Sequence, residues 1–251
     1  YTRIEDGSFL NVNLENLEIN NNQIELRIED KAIFDLKYLK YLNLNLNQLE
    51  KVKLNNLDSL NTLFLSNNKL TILSRDSFLG SKMLKKLFLA NNFISVIEFG
   101  ALDYLSDLKY LDLKNNILET FVSFASNQIE FKLEYLSLEY NNIKQLDGES
   151  FKNLKYLDTI SAENCQIKKV YSDTFKDGEN LVKLSLNNNL IERLDNKTFS
   201  NLYYLRTIFI MSNLLTKIEN FTFFNLSNLI TMDLEKNKIS SIETYAFLNL
   251  D

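Results

Sequence analysis

The sequence predicts an α/β solenoid: a horseshoe with a parallel sheet on its concave side and an irregular or short-helical convex side. Three observations predict it. About seven spaced positions recur ten times along the 251 residues, most often with a period of 24. Within each unit two apolar residues alternate with polar ones, over a stretch that fits a single short strand. An asparagine then follows at a fixed offset in nearly every unit.

The period comes first. With Leu60 as position 1, Leu63, Leu65, Asn68, Leu70, Leu73 and Phe78 follow, and the next unit opens at Leu84. Ten units start at Leu14, Leu39, Leu60, Leu84, Leu108, Leu133, Leu157, Leu181, Leu205 and Leu229, after the tail of another around Ile4, Phe9 and Val12. The units from Leu14 and Leu108 have 25 residues, and the unit from Leu39 has 21. Residues 1–251 thus read as a single array of about ten repeats, an excerpt that begins and ends inside the pattern without polar caps.

The strand comes next. Apolar residues at positions 4 and 6 put one face of a short strand into a core. One strand per unit, and a return of the chain before the next, makes the strands stack in parallel about 4.8 Å apart. A single unit cannot hide its own leucines, so each is covered by its neighbours. The asparagine at position 9 both donates and accepts, and so can satisfy turn backbone that a leucine would leave unpaired.

These positions, LxxLxLxxNxLxxLxxxxFxxLxx, resemble the leucine-rich-repeat family over essentially the whole chain. The resemblance implies an asparagine ladder running from repeat to repeat: Asn22, Asn47, Asn68, Asn92, Asn116, Asn141, Asn189, Asn213 and Asn237. Cys165 takes that place in the unit from Leu157, where the family pattern permits cysteine and a structural thiol is expected. Phe78, Phe151, Phe175, Phe199, Phe223 and Phe247 recur at position 19, as a spine under the convex side. Units of 24 residues with this phenylalanine, and no proline, look like the class found in Toll-like receptors and chaoptin-like adhesion proteins, which is mostly extracellular.

Composition narrows the chemistry. The chain has no His, no Pro, no Trp, one Cys and five Gly, and no glycine-rich phosphate loop. The commonest general base and metal ligand is therefore missing, no cofactor is implied, and no internal disulfide can form. A net charge of −5 gives no global basic field, so no nucleic-acid partner is expected. No run of 18 apolar residues occurs, so a membrane would be met only through segments outside this chain. The bias towards Asn, Lys, Leu, Ile, Phe and Tyr also has a codon-composition reading, so asparagine abundance by itself assigns no function.

Positions 2, 3, 5, 7 and 8 point away from the core on the concave side, where the family usually binds its partners. There Phe64 and Phe88 fall one strand apart, flanked by Tyr41, Tyr110 and Tyr135 and rimmed by Lys86, Asp112 and Lys114. Two readings stand side by side: a contact for a protein partner, and stacking that stabilises the sheet. Phe209 with Met211 is a smaller patch of the same kind. Glu139 and Glu163 occupy position 7 of adjacent units, with Asp112 diagonal to them, and read as a solvated acidic face suited to a basic region of a partner. Three N-x-S/T sequons occur, at Asn196, Asn220 and Asn225, against roughly three to five expected by chance. Asn196 and Asn220 both fall at position 16 on the return leg, where glycans would leave the concave face clear.

The expected function is that of a non-catalytic ectodomain of a cell-surface receptor or adhesion protein, binding a protein or glycoconjugate ligand. The alternative is an intracellular scaffold using the same face. Dimerisation, common among family receptors, has no signature in these residues.

Overall fold

The computed structural model describes residues 4, 7–23, 33, 36–54, 56–124 and 130–250. Residues 24–32, 34 and 35 of the unit from Leu14, and 125–129 of the unit from Leu108, lie outside the described residues. The chain forms two compact units: Tyr1–Ile117 with Phe124–Lys132, and Leu118–Ser123 with Leu133–Asp251.

The first unit contains β1 (Asn16–Glu18), β2 (Tyr41–Asn43), β3 (Thr62–Phe64), β4 (Ile72–Leu73), β5 (Lys86–Phe88), β6 (Val96–Ile97) and β7 (Tyr110–Asp112). Strands β1, β2, β3, β5 and β7 pair in parallel in that order. Their register sets Leu17, Leu42, Leu63, Leu87 and Leu111 side by side. Each is the position-4 residue of its repeat, so the repeat phase and the strand register coincide. From Leu42 onward these leucines are fully buried, as are Leu65, Leu89 and Leu113 two residues further on. Full burial contributes roughly 1.5–3 kcal/mol per leucine, much of it offset by ordering of the chain. On the return leg β4 and β6 form a second, two-stranded parallel pair.

The second unit contains β8 (Tyr135–Ser137), β9 (Gln145–Leu146), β10 (Thr159–Ser161), β11 (Lys169–Val170), β12 (Lys183–Ser185), β13 (Arg193–Leu194), β14 (Thr207–Phe209), β15 (Lys217–Ile218), β16 (Thr231–Asp233) and β17 (Ser241–Ile242). Strands β8, β10, β12, β14 and β16 pair in parallel, again with position 4 against position 4. The return legs add β9–β11–β13 and β15–β17. Each unit is therefore a parallel-strand solenoid.

The asparagine ladder forms in both units. In the first, Asn92 Nδ2 donates to the Leu65 carbonyl of the preceding coil at 3.0 Å and to Leu89 of its own at 2.9 Å. Its Oδ1 accepts the Leu70 N–H at 3.1 Å. In the second, Asn213 makes the same three bonds, to Leu186, Ile210 and Ile191. The residue before the ladder position is left-handed in every coil: Asn21, Leu46, Asn67, Asn91, Asn115, Tyr140, Asn164, Asn188, Ser212 and Lys236 all have φ between 53° and 59°. Asparagine tolerates that region better than most residues. Six of the ten are asparagine, so part of the asparagine bias is conformational rather than compositional.

The short-helical convex side is not found. Among the described residues the return legs hold turns and two-residue strands and no helix. They turn through isolated i→i+3 bonds such as Ser77 N–H to Ser74 O and Leu205 N–H to Leu202 O. A second left-handed residue, four before the next unit, interrupts any longer helical run at Asn56, Gly80, Asn153, Asn201 and Asn225. In the second unit the phenylalanine spine is continuous. Phe151, Phe175, Phe199, Phe223 and Phe247 stack with centroids 5.4–5.6 Å apart. In the first, Phe78 is fully buried at the corresponding place.

Candidate functional site

On the sheet face of the first unit that points away from the leucines, four aromatic rings form a ladder. Phe64 and Phe88 lie at the same position of paired strands, with centroids 4.5 Å apart and planes within 2°. Tyr41 tilts against Phe64 at 5.2 Å, and Tyr110 against Phe88 at 5.0 Å. All four are half-buried. Parallel pairing causes the Phe64–Phe88 stack, because side chains at equal positions recur at strand spacing, close to ring-stacking distance. Tyr41 and Tyr110, two positions earlier on the adjoining strands, meet it diagonally. Lys86 is exposed on the same strand as Phe88, between Thr62 and Tyr110 in register. Asp112 Oδ1 accepts the Lys114 N–H at 3.0 Å, which fixes the rim beyond Phe88.

The stacking reading is met: the rings pack across strands, and they remain half-exposed.

The second unit carries a different face. Ser137, Ser161 and Ser185 replace the aromatics at position 5 and are buried. The Ser161 hydroxyl donates to Glu139 Oε1 at 2.8 Å, and the Ser185 hydroxyl donates to Glu163 Oε1. Each carboxylate therefore lies over the serine of the following coil, half-buried rather than fully solvated. Sequence reasoning missed this pairing, although glutamate at position 7 followed by serine at position 5 of the next unit was there to read. Tyr135 is half-buried on β8 of this unit. Phe209 is half-buried with Lys183 Nζ 5.8 Å from its ring centroid.

Cys165 sits in the ladder of the second unit, fully buried, with Sγ donating to the Leu138 carbonyl at 3.0 Å. Burial, with smaller contributions from the Glu139 and Glu163 carboxylates, pushes its thiol up to about 12. A thiol held this far from ionisation is a poor nucleophile. Among the described residues no group of three His, Cys, Asp or Glu is placed to hold a metal ion.

The three sequons differ. Asn196 is exposed. Asn220 accepts the Tyr245 N–H through Oδ1 at 3.1 Å. Asn225 is left-handed, and its Nδ2 donates to Asn201 Oδ1 at 3.0 Å and to the Tyr203 hydroxyl at 3.2 Å. The third residues of the first two sequons, Thr198 and Thr222, are buried and close their turns by donating to the Asp195 and Glu219 carbonyls.

Residues 123–251, just over half of the chain, match the profile of the BspA type leucine-rich-repeat region, and residues 82–128 match a second leucine-rich-repeat profile. The chain belongs to the leucine-rich-repeat family. Among solved structures, this leucine-rich-repeat chain is 27% identical to the TLR13 chain of the TLR13–ssRNA13 complex, with a TM-score of 0.82 over 88% of this chain. It is 26% identical to a chain of the Drosophila Toll–Spatzle complex, with a TM-score of 0.83 over 93%. It spans about a third of those two chains, 32% and 31%. A chain in the complex of latrophilin 3, Unc5D and FLRT2 shares the fold, at 23% identity and a TM-score of 0.67, over 86% of this chain and 73% of that one. No curated protein sequence matches the chain. The first neighbour is in complex with RNA and the second with a protein, so the leucine-rich-repeat fold alone does not select a ligand class.

Proposed function

We propose that the chain is part of a non-catalytic ectodomain of a cell-surface receptor or adhesion protein, and that it holds a protein partner on the outward faces of its sheet strands. The observation that carries the reading is the ladder Tyr41–Phe64–Phe88–Tyr110. These rings lie on the side of the strands opposite the buried leucines, so they are additional to the core. A row of half-exposed aromatics with a charged rim has the composition of a binding centre. Lys86, Asp112 and Lys114 supply the rim on the first unit; Tyr135, Glu139 and Glu163 give the second unit an acidic, serine-lined surface of its own. A cell-surface setting is supported by the likeness to a chain of the Toll–Spatzle complex and by the 24-residue repeat class, and carbohydrate at exposed Asn196 would fit it.

The test is a binding screen of the chain against a panel of secreted and cell-surface ectodomains. A partner that is lost when Phe64→Ala and Phe88→Ala are combined, with the circular-dichroism spectrum unchanged, supports the reading. A partner indifferent to that pair and lost instead with Phe99→Ala and Tyr104→Ala, on the return leg, overturns it.

A further inference from the structure

We infer that the ladder selects an acidic protein segment bearing apolar side chains, and does not serve as a stacking platform for nucleobases or sugars. The inference rests on the proposed use of this face and goes on to the chemistry of what occupies it.

An aromatic ring has an electron-rich face and an electropositive edge. Bases dock on ring faces, and single-strand nucleic-acid sites expose those faces for the purpose. Here the faces are already taken. Phe64 and Phe88 cover each other at 4.5 Å with planes 2° apart. Tyr41 leans on Phe64 at 49°, and Tyr110 on Phe88 at 40°. What the two central rings turn outward is their edges. Edges pack against aliphatic and aromatic side chains, and their positive hydrogens attract carbonyl and carboxylate oxygens.

The charges around the ladder have the matching sign. In the three coils from Leu60, Leu84 and Leu108, positions 2, 3, 5 and 7 carry four lysines, Lys85, Lys86, Lys109 and Lys114. Against them stand Asp112 at position 5 and Asp107, which lies just before the third coil within electrostatic reach of Lys85 and Lys109 and is paired with Lys132. The chain as a whole has a net charge of −5, so this excess is local. Lys85 and Lys86 are exposed. Four lysines beside central rings that offer only their edges are a weak site for a polyanion, whose affinity depends on many phosphate contacts. They suit a peptide that offers carboxylates beside apolar side chains.

The test selects random displayed peptides against the full chain, with the Phe64→Ala/Phe88→Ala chain as counter-selection. Labelled oligouridine and maltohexaose are titrated in parallel. Ladder-dependent peptides are expected to be rich in Asp or Glu together with Leu, Ile, Val or Phe. Their binding should fall at least about tenfold at low salt when Lys85→Glu and Lys86→Glu are combined, a change on exposed side chains that leaves the core intact. Basic peptides in the selected pool, or indifference to the charge reversal, would overturn the inference. Oligouridine or maltohexaose binding that depends on Phe64 and Phe88 would also overturn it, while leaving the face itself in use. If no ligand of any kind depends on the ladder, both the inference and the reading beneath it fall.

Discussion

The thiol of Cys165 donates to the carbonyl of Leu138 at 3.0 Å, in the place where other coils put an asparagine amide. The amide does more than the thiol. In the coils on either side, Asn141 Oδ1 takes the N–H of Leu118 and Asn189 Oδ1 takes that of Ile167. Sulfur is a weak acceptor for the corresponding N–H, that of Ile143. Cys165→Asn is therefore expected to stabilise the second unit by about 1 kcal/mol. A rise in the urea midpoint at unchanged slope checks it. In the native protein Cys165 should also resist a thiol reagent until the chain unfolds, because the group is buried and its pKa lies at about 12.

Removing a ladder amide acts in the opposite direction. Asn116 donates to Leu89 at 3.0 Å and to Leu113 at 2.9 Å, and accepts from Ile94 at 2.9 Å, all buried. Asn116→Ala should cost about 1–3 kcal/mol for each backbone group it strands without water. Chemical denaturation reads the loss, and an unchanged midpoint would contradict the ladder's energetic role.

The sequons make a contrasting pair. Asn225→Gln should destabilise the folded chain by about 1 kcal/mol or more, because it changes a left-handed residue and breaks the bonds to Asn201 and Tyr203. Asn196→Gln, on an exposed side chain, should leave the melting temperature within about a degree. Glycan mapping of the chain expressed through a secretory pathway would show whether Asn196 carries carbohydrate.

One exposed ion pair gives a pH signature. Lys132 Nζ lies 2.8 Å from Asp107 Oδ1, and this hydrogen bond holds the Asp107 carboxyl below its ordinary value. A carboxylate whose folded pKa is depressed stabilises the fold above its unfolded pKa and loses that contribution as pH falls through the folded one. Asp107→Asn should therefore lower stability slightly at neutral pH, by about 0–1 kcal/mol for an exposed pair, and the gap to the native chain should close as pH falls below about 4. Thermal melts across that range, with and without salt, check the sign.

Much of the architecture could be read from residue spacing. Leu63, Leu87 and Leu111 fall at position 4, and the strands pair in that register, because only that alignment keeps every leucine on one side. The ladder asparagines were legible because an amide at a fixed offset from a strand has few other uses. Less legible were the residues beside them. In Asn67-Asn68, Asn91-Asn92 and Asn188-Asn189 the second residue is the ladder and the first is the left-handed turn, a backbone role that composition had obscured. Ser77, Ser150, Thr174, Thr198 and Thr222 recur at position 18, all buried, and went unread although the spacing was as regular as that of the leucines. On the aromatic face the sequence placed Phe64 and Phe88 as neighbours. Ring orientation, which decides whether faces or edges meet a ligand, depends on side-chain torsions that periodicity does not encode.

Gly80 packs directly against the backbone of the preceding coil. A methyl group there would come within 2.8 Å of the Asn56 nitrogen, at φ +89°, while the equivalent places at Asn153, Asn201 and Asn225 carry full side chains. Asn56 belongs to the coil from Leu39, which is three residues shorter than the common 24. The close approach and the left-handed backbone act together at this one junction, so glycine there meets two separate demands, while its asparagine counterparts in the other coils meet only the second.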